Sequence, residues 1–340
     1  MKKINPFAVG EKYGLVVLLG AVVLFFTVNS ATPQFATTDN VVNVLGNQSI
    51  LGILAIATII PLVAGQFDLS IGPTAGLCSV ISAGMMSKTH LPLVLAILVG
   101  IGVGVAIGTV NGILVSKVGI NSIIATLGTS SIISSFVLWY TSGLSIVSGI
   151  SPALTDFGGD KVLGLPTPFY LLLVVALVVW YVLEQTPLGR YLTGVGVNER
   201  AAELAGLSVN RYVFSSFVSA GALAGVAGIM LVAYQGSGNP AAGASFTLPA
   251  LAAAFLGATT IRPGRYNVPG TLTAIFFLAA AVNGLTLWGA ESWVSELFNG
   301  VALLVAVGFS IYSGKRRRGR PTPPAESSGI DPSRAEASTA

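Results

Sequence analysis

Ten predominantly apolar runs, each long enough to cross roughly 30 Å of hydrocarbon, limit what this chain can fold into. They cover residues 13–30, 41–64, 69–87, 91–115, 120–141, 167–183, 212–235, 241–260, 267–288 and 293–312. No water reaches backbone N–H and C=O groups at that depth, so the runs must satisfy them internally, as helices. Charged residues make up 9% of the chain, against about 25% in a soluble domain. The expected fold class is an all-α polytopic membrane protein of about ten transmembrane helices. Pro249 lies inside the eighth run, whose apolar part is short, and a broken or re-entrant segment is expected there.

Lysine and arginine give an expected orientation. With the N-terminus in the cytosol and ten crossings, Lys12, Lys117, Arg190, Arg200, Arg211, Arg262, Arg265 and the basic residues of both ends fall inside, leaving only Lys88 and Lys161 outside. An odd number of crossings would put the K-R-R-R-G-R cluster outside, so both termini are expected in the cytosol. The net charge of +4 then reports topology and contact with anionic membrane lipid; no basic patch interleaved with aromatics points to nucleic acid. The chain divides into a cytosolic segment 1–12, a transmembrane domain 13–312 and a tail 313–340. The tail is basic at first and then rich in Pro, Ser and Ala, which predicts disorder. The first run lacks a small-residue cleavage signal and reads as a retained helix.

The polar stretch 184–212 interrupts two long apolar runs and is built as a loop with its own short helix. Asn198 is placed as the N-cap of a helix from Glu199 to Ala205, an acid sits in the first turn, and Gly206 suits the left-handed position after the last turn. A short helix with Ala201, Ala202 and Ala205 on it, presented to the cytosol, fits the groove of another protein. Ala202 is the expected contact. The alternative is a capped connector and no more.

Catalytic chemistry has little to work with. His90 is the only histidine and falls on an outer loop, so neither a metal site nor acid–base chemistry is expected, and no cofactor motif occurs. The lone Cys78 lies in an apolar run. Gly308 to Lys315 has the wrong spacing for a phosphate-binding loop. Asp68, Glu184, Glu291 and Glu296 fall near run ends, which speaks against an ion-coupled secondary transporter.

Residues 65–72, G-Q-F-D-L-S-I-G, join the second and third runs, with Asp68 or Ser70 placed to cap the third helix or to form part of a gate. Gly100, Gly104 and Gly108, and Gly221, Gly225 and Gly228, form stripes that read first as close-packing helix faces. Asn47, Gln48, Ser49, Thr126 and Thr129 are polar within runs; such groups either hold helices together or line a wet path. Val110-Asn111-Gly112 and Val282-Asn283-Gly284 close the fourth and ninth runs, an offset of five that suggests an inverted five-helix repeat and adds Asn283 to the candidate path.

From about residue 43 to 308 the chain resembles the membrane permease subunits of bacterial ABC sugar importers of the ribose, xylose, arabinose and galactose type. The motifs that carry the resemblance are G-Q-F-D-L-S-I-G, V-N-G-I-L-V (110–115), I-A-T-L-G-T (124–129), T-P-L-G-R (186–190), G-V-N-E-R-A-A-E-L-A-G (196–206), V-P-G-T-L (268–272) and V-N-G-L (282–285). The resemblance implies a monosaccharide path in the bacterial inner membrane. It also implies a second permease copy, identical or related, and an extracytoplasmic sugar-binding protein. A separate ABC ATPase subunit would dock on a coupling loop that includes Gly194, Asn198, Glu199, Ala201, Ala202, Ala205 and Gly206. The chain departs from the family at Gly65-Gln66-Phe67, at Asn121-Ser122-Ile123, and at Ile261-Arg262-Pro263-Gly264-Arg265, which replaces a Gly-Gly-Arg-Gly turn with a more basic one. Alternatives are a related importer for nucleosides or branched-chain amino acids, an ion-coupled transporter and an intramembrane enzyme.

Overall fold

The computed structural model describes residues 6–318. The expected disordered stretch from 319 onward and the first five residues lie outside them. Helices α1 (Pro6–Val28), α2 (Thr38–Val63), α3 (Ile71–Thr89), α4 (Leu93–Ser116) and α5 (Ser122–Thr141) cover the first five apolar runs. A short helix α6 (Pro152–Gly159) and a hairpin of β1 (Lys161–Val162) and β2 (Leu165–Pro166) precede α7 (Thr167–Gln185). The polar interruption folds as α8 (Pro187–Val197) and α9 (Glu199–Leu204). Then come α10 (Val209–Gln235), a 3₁₀ turn (Ala244–Phe246), α11 (Thr247–Gly257), α12 (Val268–Leu287) and α13 (Trp293–Arg318).

Six of these helices are long and apolar enough to cross a membrane: α2, α4, α5, α7, α10 and α12. The eighth run is not broken at Pro249, which sits in the first turn of α11; a 3₁₀ turn precedes that helix, which has 11 residues and rises only about 16 Å. α3 is buried along nearly its whole length, so it carries Thr74, Ser79 and Ser82 without facing lipid. α13 extends to Arg318, so the start of the basic cluster is helical.

α2 and α10 form the centre, and most of their residues are buried. α10 packs against α4, and there the two glycine stripes meet. A Cβ on Gly104 would strike the Gly221 carbonyl oxygen, a Cβ on Gly221 the Gly104 carbonyl, and a Cβ on Gly108 the Phe217 carbonyl. Without side chains at these positions the two backbones touch, which replaces the hydrophobic drive that lipid cannot supply between helices.

The connections gather at two ends. At one end, Phe67 N–H donates to Ser122 Oγ, the α2–α3 turn lies on α8, and the Lys12 carbonyl accepts from Ile261 N–H and Thr260 Oγ1. At the other end Lys161 pairs with Asp39 at 3.8 Å, Lys88 donates to the Tyr140 carbonyl, and Ile146 bridges to Gly238.

Candidate functional site

The α8–α9 segment is capped at both ends. Asn198 Oδ1 accepts from Ala201 N–H at 3.0 Å, as its N-cap position predicts. At the exit Gly206 has φ +84°, its N–H bonds the Glu203 carbonyl, and Leu207 N–H bonds the Ala202 carbonyl. That pair of bonds around a left-handed glycine is the Schellman closure. Arg200 pairs with Glu203 in solvent at 3.2 Å.

The faces of α9 differ from the sequence expectation in one respect. Ala202, the expected partner contact, is buried against its own chain, packed with Val195, Val209, Val213 and Phe217. In so short a helix one side faces inward, and Ala202 is the residue that Val195 of α8 and Val209, Val213 and Phe217 of α10 cover. The exposed face carries Ala201, Leu204 and Ala205, with Val197 alongside; Leu204 and Val197 are 78% and 79% exposed.

The α2–α3 turn rests on this segment. α2 ends in a second Schellman closure, with Gly65 at φ +78°, Gly65 N–H on the Leu62 carbonyl and Gln66 N–H on the Pro61 carbonyl. Gly65 and Gly196 meet backbone to backbone, and Gln66 Nε2 donates to Glu199 Oε1 at 3.0 Å. The same turn is clipped from the other side. Phe67 N–H and Leu69 N–H donate to the hydroxyls of Ser122 and Thr126 on α5.

Behind the turn a buried polar chain runs across three helices. Ser70 N–H and Oγ both donate to Asp68 Oδ1, at 2.9 and 2.6 Å; Asn111 Nδ2 donates to Ser70 Oγ; Thr129 Oγ1 donates to Asn111 Oδ1 at 2.7 Å. Ser70 stands at the N-cap of α3 without a side-chain cap bond; its backbone is αR and its hydroxyl oxygen accepts from Asn111 Nδ2 instead. Burial pushes the Asp68 carboxyl above its ordinary pKa of 3.8, opposed by the two bonds from Ser70.

Of the candidate path residues, Asn47, Gln48 and Asn283 come together. They line a cavity of about 410 Å³ between α2 and α12 at the end of the bundle that carries Asn40, joined by Asn40, Asn43 and Gln235. Six carboxamides and no ionisable side chain line this space, and the amides of Gln48, Gln235 and Asn283 bond to none of the described residues. Ser49, Thr126 and Thr129 are elsewhere. Ser49 Oγ donates to the Leu45 carbonyl one turn back in α2, whereas Thr126 and Thr129 belong to the clip and the polar chain and hold separate elements together.

Sequence reasoning passed over Asn111 as a site, although the V-N-G motif marked it. It also passed over Asn43 and Gln235, which lie at helix ends and become path-lining only when α2, α10 and α12 assemble.

Comparison with known proteins adds to this geometry. Residues 40–307 match the family described as the branched-chain amino acid transport system / permease component. The ribose import permease protein RbsC of Haemophilus influenzae is 33% identical over 303 residues, 88% of this chain and 93% of that one. RbsC of Bacillus subtilis is 33% identical, covering 90% and 92%. The autoinducer 2 import system permease protein LsrD of Photorhabdus laumondii is 32% identical, covering 88% and 92%. No solved structure matches the chain.

Proposed function

The chain belongs to the branched-chain amino acid transport system / permease component family, and from that premise we propose that it is the permease subunit of an ABC importer carrying a monosaccharide. The observation that carries the substrate class is the carboxamide cavity. Neutral amides without a nearby charge suit hydroxyl groups, which donate and accept at once. An amino acid would bring an ammonium and a carboxylate into a space that offers neither a counter-ion. Likeness to LsrD supports autoinducer 2 as a second solute to assay.

In this reading the transmembrane domain spans 13–312 with ten crossings, α11 being a short element inside the bundle, and both termini lie in the cytosol. The end with Lys12, Arg190, Arg200, Arg262 and Arg265 is then cytosolic. Packing supports the inverted repeat: α3 packs on α4 and α5 as α11 packs on α12 and α13, and α10 packs on α3 and α4 as α2 packs on α11 and α12. The coupling segment 184–212 receives the ATPase subunit on Ala201, Leu204, Ala205 and Val197, with Gly194, Asn198, Glu199, Ala202 and Gly206 setting its shape. A binding protein delivers the solute at the other end, and a second permease copy completes the transporter.

Uptake in proteoliposomes containing permease, ATPase subunit and binding protein tests the reading. Labelled pentose should accumulate only with ATP and should survive collapse of sodium and proton gradients. Accumulation driven by a gradient without ATP overturns it. Cysteines at Asp160 and Glu203 should react with impermeant reagents from opposite sides; same-side labelling removes the ten-crossing topology.

A further inference from the structure

A second cavity, of about 440 Å³, opens at the end of the bundle that carries α8 and α9. Its lining is partly apolar, with Leu62, Val63, Leu183 and Val268 from the ends of membrane helices, and partly basic, with Arg190, Arg262 and Arg265. Arg262 is committed, its Nη2 lying 2.9 Å from Oε2 of the largely buried Glu184. Arg190 and Arg265 have no ion-pair partner among the described residues, so the lining carries two uncompensated positive charges.

The basic turn is held in place before any ligand arrives. Asn267 Nδ2 donates to the carbonyls of Gly257, Thr260 and Arg265, and the Lys12 carbonyl ties down Thr260 and Ile261. Tyr266 lines the cavity, and burial pushes its hydroxyl up to about 12, so it stays protonated and able to donate.

We infer that this cavity binds the phosphate of an anionic phospholipid, with Arg190 and Arg265 on the headgroup and the acyl chains against the apolar lining. Guanidinium forks match phosphate oxygens in pairs, and the apolar lining places the phosphate at headgroup depth. The inference rests on the membrane reading of this end of the chain and not on the transported solute.

Native mass spectrometry and thermal midpoints of the purified permease, titrated with phosphatidylglycerol, phosphatidylcholine or inorganic phosphate, test it without ATPase or solute. Phosphatidylglycerol should remain bound and raise the midpoint, and phosphatidylcholine should not. Arg190→Gln and Arg265→Gln should each weaken retention about fivefold and together about twenty-five-fold. Lys88→Gln with Lys161→Gln, at the opposite end, should leave it unchanged. Equal retention of the two lipids, or full retention by the double arginine variant, overturns the site. A midpoint shift of the same size with inorganic phosphate alone overturns the lipid assignment in favour of a free oxyanion. Because uptake is not the readout, failure here leaves the transport reading standing, and the reverse holds.

Discussion

Gly196 and Gly65 touch through bare backbone. A Cβ on Gly65 would lie 3.2 Å from the Gly196 Cα, and a Cβ on Gly196 would strike the Val63 carbonyl oxygen. This contact joins the segment proposed to receive the ATPase to the turn that α5 holds through Ser122 and Thr126. A displacement of α8 and α9 therefore reaches α5 through two layers of direct contact, with Gln66 and Glu199 bonded beside them.

Gly196→Ala should push α8 off the turn, with a destabilisation of about 1–3 kcal/mol, as for overpacking elsewhere. Gly102→Ala, on α4, is the control, because its added methyl meets nothing within 4 Å. Thermal midpoints in detergent and uptake per ATP hydrolysed should fall for the first variant and stay near the parental values for the second. Equal behaviour of the two would remove the contact from the coupling route.

On α9, Leu204→Asp alters an exposed side chain and should lower co-purification of the ATPase subunit while leaving the permease midpoint unchanged. Ala202→Asp buries a carboxylate among Val195, Val213 and Phe217, where an unpaired charge costs several kcal/mol. Its midpoint should drop along with ATPase binding. If Leu204→Asp binds the ATPase normally, the docking face lies elsewhere.

Gln48→Leu and Asn283→Leu remove amides from the neutral cavity and should reduce solute uptake by about tenfold each, equivalent to one lost hydrogen bond of about 1.4 kcal/mol, at parental membrane levels. Thr126→Val instead leaves Leu69 N–H without its acceptor, which costs about 1–3 kcal/mol, so membrane level and uptake should fall together. Parallel immunoblots and uptake assays separate the two patterns. Normal uptake by both amide variants would move the path away from α2 and α12.

Asp68 gives stability a pH dependence of definite sign. Its folded pKa is raised by burial above the ordinary 3.8, so its contribution is fully present below 3.8 and is lost as pH rises through the raised value. Asp68→Asn keeps the oxygen that accepts from Ser70 and removes the charge. Its thermal midpoint should be flatter with pH than the parental one and higher near neutrality. A parental midpoint that rises over that interval would reverse the assignment.

The sequence alone determined the all-α membrane class, the positions of the long apolar helices, the caps at Asn198 and Gly206, and the close-packing role of the glycine stripes. Each of these follows from local or periodic properties: run length against hydrocarbon thickness, an oxygen reaching an N–H three residues on, a glycine where φ is positive, and small residues four apart. Only the tertiary structure decided which polar residues face a cavity and which hold helices. Gln48 and Thr126 are both uncharged hydrogen-bonding side chains inside apolar runs, and nothing local separates them. What separates them is the neighbour: α12 and α10 leave Gln48 beside open space, whereas the α2–α3 turn delivers the Leu69 N–H to Thr126. The same holds for Ala202, whose inward face is set by where α8 and α10 cross, a long-range relation that helical periodicity does not encode.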